Sequence, residues 1–168
     1  MYDREKAVQY AEKWAYERNP AFYAFDDIGG DCTNFVSQCI YAGCGVMNYT
    51  PDLGWYYISP DDRSAAWTGV EYLYNFLVSN EENGPYGEEL PLNFAEIGDV
   101  IQLSFDGEMF SHTLIVTSAG MFPSAENILI ASHSYDSFDR PLSSYYYIEA
   151  RLIHILGARG GEDDPQFP

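Results

Sequence analysis

Three side chains able to do nucleophilic and acid–base chemistry stand apart in the sequence: the thiol of Cys32 and the imidazoles of His112 and His133. A thiol attacks a carbonyl carbon only once it is a thiolate, so it needs a base within hydrogen-bond reach, and that base is usually oriented by a third polar group. Cys32 stands in "GGDCTNFVSQCIYAG", directly after Asp31, at what reads as the first turn of a helix. A helix start supplies free backbone N–H groups and partial positive charge, both of which favour an anion. His112 opens the run "HTLIVTS" and His133 ends "NILIASHS". If these runs pair as a hairpin with Val116 opposite Leu129 and Ser118 opposite Asn127, His112 falls opposite His133 on one face. One imidazole then orients the other while the first meets the thiol. The competing use of Cys32 is as a small buried apolar residue, and that of His112 as an exposed strand end. Cys39 falls on an apolar helical stripe and reads as structural, Cys44 has no pattern that argues for chemistry, and His154 inside "RLIHILG" reads as a packed strand residue.

The elements that must position these groups can be read from periodicity. Ala7, Tyr10, Ala11, Trp14 and Ala15 follow Asp3 at helical spacing up to the stop at Pro20. Phe35, Val36, Cys39 and Ile40 continue the inward face begun by Cys32, with Asp31 as N-cap and Gly43 as the stop. A third helix opens at "TGVE", where Thr68 and Glu71 have capping-box spacing, and "SNEENGPYGEELP" reads as a loop. From Gly98 onward "DVIQLSF", "HTLIVTS", "NILIASHS" and "YYYIEARLIHILGA" read as strands. Helices followed by consecutive strands predict an α+β domain over residues 1–159, helices packed on one antiparallel sheet, with a polar, frayed tail over 160–168.

Composition narrows the function. The 168 residues carry 8 Lys and Arg against 26 Asp and Glu, a formal charge of −18. Such a field repels nucleic acid and anionic membrane surfaces. No run approaches the roughly 20 apolar residues of a membrane span, and the first residues lack the pattern of a signal peptide, so the chain is expected to be mature or an excised domain. Three cysteines cannot all pair within one molecule, which leaves at least one thiol free or joined to another chain. A zinc site from Cys32, His112 and His133 lacks an obvious fourth ligand, and no metal or cofactor is expected.

The stretches "YDREKAVQYAEKWAYERNPAFYAFD", "DCTNFVSQCIYAG", "GWYY", "AAWTGVEYLYNFL", "IGDVIQLSF", "SHTLIVT" and "ASHSYDSFDRPL" together resemble the bacterial "putative amidase domain" family. That family lies among papain-like cysteine hydrolases, near the NlpC-type and CHAP cell-wall enzymes, and "DCTNFVSQC" is the most specific element. The resemblance implies a papain-like fold and a cysteine amidase or peptidase working through a thioester, with Cys32 as nucleophile, His112 as base and His133 as orienting residue. Asp136 and Asn127 remain open for that third role, and Tyr23 matches the place of an oxyanion-binding tyrosine. It further implies peptidoglycan or a related peptide as substrate, an extracellular or cell-envelope location, and a place in a larger secreted protein. Two other readings stay open: a catalytically silent binding module on the same fold, and an acyltransferase using the same Cys and His.

Overall fold

The structure, a computed structural model, describes residues 1–160. The expected tail thus lies outside the described residues beyond Gly160. Helix α1 (Arg4–Trp14) starts where Asp3 accepts a hydrogen bond from the Lys6 amide at 3.0 Å. Its buried Ala7 and Ala11 allow close packing on helix α2 (Cys32–Cys44). Gly43 does not end α2. It is buried within the helix, where a Cβ would come 2.6 Å from the Tyr2 ring and 2.7 Å from the Asp3 carbonyl, so it is the contact that lets the two helices meet. The stop is Gly45, at φ +69°, a left-handed conformation suited to glycine.

A small hairpin, β1 (Tyr57–Ser59) and β2 (Asp62–Arg63), precedes helices α3 (Ala65–Thr68) and α4 (Val70–Ser79). The expected capping box is absent. Thr68 is the last residue of α3 and accepts from Arg63 Nε, while Glu71 pairs with Arg151; extended Gly69 separates the helices. Six strands then form one antiparallel sheet: β3 (Gly84–Leu90), β4 (Val100–Ser104), β5 (Phe110–Ser118), β6 (Leu129–Ser132), β7 (Ser137–Pro141) and β8 (Glu149–Arg159), in the order β3-β8-β4-β5-β6-β7. The stretch read as a loop supplies β3, whose Pro85 is tolerated because β3 is an edge strand.

All four helices lie toward one face of this sheet, over Val100, Ile115, Ala131 and Ile153. Ile101, Leu103, Leu114, Val116 and Leu152 fill the other face, which Ile128 and Leu142 help to cover. The α+β class thus holds. Among the described residues no helix is long and apolar enough to cross a membrane.

Register corrects the expected hairpin. Val116 pairs with Ile130 and Ser118 with Leu129, one residue from the assumed alignment at Val116 and two at Ser118, with an irregularity between them. A one-residue slip moves every side chain of a strand to the other face. His112, paired with Leu103 in the ladder, therefore shares the face of Leu114 and Val116, whereas His133 lies on the helix side, stacked on Phe35 at 3.9 Å.

Candidate active site

Helix α2 is buried along most of its length, yet half of its first turns are polar. Burying such groups is costly unless each finds a partner, and each does. Thr33 Oγ1 lies 2.9 Å from Thr113 Oγ1 on β5. Asn34 Nδ2 donates to the Tyr23 carbonyl and to Asp31 Oδ1, and its Oδ1 accepts from Trp67 Nε1. Ser37 Oγ donates to the Trp67 carbonyl and accepts from Trp55 Nε1, and Gln38 Oε1 accepts from the Tyr10 hydroxyl at 2.6 Å. Cys32 differs from its neighbours: the polar contact of its sulfur is the adjacent Thr33 Oγ1, at 3.8 Å.

Asp31 occupies the N-cap position, but its carboxylate does not cap the helix. Oδ1 accepts from the Phe25 amide at 2.7 Å as well as from Asn34, and Oδ2 meets His133 Nδ1 at 2.5 Å. The first-turn amides around Cys32 are thus left without a side-chain cap. On its other side His133 Nε2 lies 2.8 Å from the Trp14 carbonyl and 3.2 Å from Arg18 Nη1. Both ring nitrogens are engaged, so this imidazole offers no free lone pair. Arg18 also forms bidentate pairs with Asp26 and Asp136. Its hydrogen bonds to Asp26 hold that carboxyl below the usual carboxylate range, against a smaller opposing effect of burial.

Among the described residues His112 has no such carboxylate. Its ring packs between Phe105 and Tyr145, at centroid distances of 6.4 and 5.7 Å. Burial, with a smaller contribution from the charge of Arg140, pushes it down to about 4, so the imidazole is unprotonated at neutral pH. It lines a surface pocket of about 470 Å³ together with Phe105, Ser134, Tyr135, Arg140 and Tyr145. The turn before Cys32 reaches the wall of this pocket: a Cβ on Gly30, which sits at φ +95°, would lie 3.7 Å from Ser134 Oγ. Thr33 and Thr113, the residues following Cys32 and His112, form the other link between helix and strand.

The structure therefore joins the residues that follow Cys32 and His112, through Thr33 and Thr113, and shows no hydrogen bond between Cys32 and His112 among the described residues; His112 lies on the sheet face away from the helices, and His133 stands against Asp31 instead of His112. Tyr23 is partly exposed beside the start of α2; its amide donates to the Tyr57 hydroxyl and its carbonyl receives Asn34. Asp136 binds Arg18, and Asn127 closes the β5–β6 connection through the Ser124 amide and the Phe122 carbonyl. Cys39 and Cys44 are thiols pushed up by burial, Cys44 to about 12. Sequence reasoning missed Arg18 and Arg140, and took Asp31 for a cap. Its signal was the acid immediately before the cysteine.

Over residues 1–156 the chain matches the family described as "Putative amidase domain", and it belongs to that family. Membership points to amide hydrolysis as the general chemistry. The chain is also similar to "Uncharacterized protein YhbB" of Bacillus subtilis (strain 168), with 38% identity over 147 residues, 82% of this chain and 43% of that protein. It thus spans less than half the length of that relative. No solved structure matches it significantly.

Proposed function

We propose that the chain is a cysteine-dependent amide hydrolase of papain-like type, with Cys32 as nucleophile and His112 as base. The observation that carries this reading is the uncapped start of α2: the acid that would occupy its amides is turned toward His133, and among the polar side chains of the first turn it is a thiol that lacks a strong polar partner. In the proposed reaction His112 takes the thiol proton and the sulfur attacks the amide carbon. The resulting oxyanion is held by the free amides of the first turn and by the Tyr23 hydroxyl, an arrangement worth about 3 kcal/mol per donor. His112 then returns the proton to the leaving amine, and water, deprotonated by the same imidazole, releases the acid from the thioester. His133 acts through Asp31 as a positioning residue for the helix start. Peptidoglycan peptides are the proposed substrate and the cell envelope the proposed location, both resting on the resemblance to cell-wall enzymes.

The test is to incubate the protein with peptidoglycan peptides and follow new amino and carboxyl termini by mass spectrometry. Cleavage is expected with the native chain and its loss, with retained circular dichroism, in Cys32→Ala. Cleavage that persists in Cys32→Ala overturns the thiol mechanism. A parallel measurement is iodoacetamide labelling at neutral pH, expected at Cys32 ahead of Cys39 and Cys44, whose thiols burial keeps protonated.

A further inference from the structure

In a chain of charge −18, the pocket containing His112 is nevertheless furnished with a cation. Arg140 projects from β7 and lies over the Tyr145 ring, 3.7 Å from its centroid. Nε donates to Ser144 Oγ at 2.7 Å and Nη2 to the Ser144 carbonyl at 3.3 Å. These contacts fix the plane of the guanidinium and leave Nη1 without a protein partner among the described residues. Arg4, Arg18 and Arg151, by contrast, meet carboxylates, and Arg63 and Arg159, which also lie over aromatic rings without an ion pair among the described residues, donate to the Pro60 and Asn80 carbonyls and do not line the pocket of His112. The adjacent acid, Asp139, is held by the hydroxyl of Thr117 at 2.8 Å. With acids outnumbering bases threefold, an arginine that is oriented on an aromatic ring, free of any acid among the described residues and set in the pocket of His112 with Nη1 open is a site prepared for an external anion.

We propose that Arg140 is a carboxylate-binding subsite, and that the pocket accepts an acylated amino acid or peptide whose carboxylate pairs with Nη1 while its apolar part lies on Phe105, Tyr135 and Tyr145. This deepens the hydrolase reading and rests on the His112 pocket being its substrate site. The general negative field disfavours anions at a distance, so the selection acts at close range, through a planar fork that matches a carboxylate. One consequence follows for His112. The charge of Arg140 helps to hold that imidazole unprotonated, and a bound carboxylate offsets the charge, so an acidic ligand strengthens the base beside it.

The experiment uses Cys32→Ser protein, so that no turnover is involved, and follows the three histidines by NMR during titration with hippurate or its neutral counterpart hippuramide. Hippurate is expected to perturb His112 and to bind at least tenfold more tightly than hippuramide, with the His112 titration moving upward from about 4. Arg140→Gln should abolish the preference, and Arg140→Lys, which keeps charge but not the fork, should retain part of it. Equal binding of the two probes, no perturbation of His112 by either, or a preference that survives Arg140→Gln overturns the proposal. N-benzoylaspartic α-amide, compared with hippurate, assigns the carboxylate to a side chain or to a chain end according to which binds more tightly. Because the readout is binding to an inert variant, hippurate selectivity in a protein that cleaves nothing would sink the hydrolase reading and spare the subsite. Cleavage by the native chain without hippurate selectivity would do the reverse.

Discussion

Two of the three histidines keep the same company. His133 meets Asp31 at 2.5 Å with Arg18 beside it, and His154 meets Asp99 at 2.8 Å with Arg4 beside it. The second cluster ties the start of α1 to β4 and β8: Asp99 also accepts from the amides of Glu96 and Ile155, and Arg4 from α1 donates to the carbonyls of Ile97 and Ile155. The first ties the end of α1 to the start of α2 through the Trp14 carbonyl. Chemically the two are near copies, yet only one borders a thiol. An Asp–His–Arg constellation is therefore a fastener in this fold before it is anything else, and its relevance to catalysis depends on what it fastens. His112 has no acid partner among the described residues, and burial holds its imidazole unprotonated at neutral pH.

Matched substitutions test that distinction. Asp99→Asn removes the acceptor of four buried or half-buried donors and should destabilise the fold by about 3–5 kcal/mol in denaturant titration, while leaving kcat of the surviving folded protein unchanged. Asp31→Asn should also lower stability but cut kcat on the order of 100-fold, because the helix start carrying Cys32 loses its anchor. Equal effects on kcat from both would erase the difference between the clusters.

A smaller effect belongs to His112. Its folded value of about 4 lies below the ordinary 6.5, so the unfolded chain binds the proton first. Stability is then intact above pH 6.5 and falls as the pH drops toward 4, by about 3 kcal/mol for this group. Chemical denaturation across that window should show a slope that His112→Gln reduces. The smallest change expected is from Thr33→Val. Losing one hydroxyl pair at 2.9 Å should cost about 1 kcal/mol in thermal unfolding, since Thr113 retains Gln102 Nε2 at 3.4 Å.

Much of this arrangement was legible in the residues. The apolar spacing after Asp3 and after Cys32 placed α1 and α2, and alternation placed β4, β5, β6 and β8. Strand β3 was hidden because Gly, Pro and Glu suit an edge strand as well as a loop, and Thr68–Glu71 had the right spacing but a glycine between the helices. The hairpin register failed, by one residue at Val116 and by two at Ser118, because pairing depends on the irregularity between them, which periodicity does not reveal. The helix start at Cys32 followed from local pattern, whereas β5 begins at Phe110, so His112 lies inside its strand and does not open it. Partnerships such as Asp31 with His133 join residues about a hundred positions apart and come only from the tertiary packing.

The polar residues of α2 also bear on how relatives are recognised. In "DCTNFVSQC" the acid, Thr33, Asn34, Ser37 and Gln38 all record how the helix is docked, and only Cys32 records what the docked helix could do. A lineage could exchange that thiol for a serine or alanine and keep every docking contact, along with almost all of the signature. Surveys of such sequences would gain by scoring the two layers separately: five positions as a certificate of architecture, and the sixth, together with position 112, as a test of the proposed chemistry.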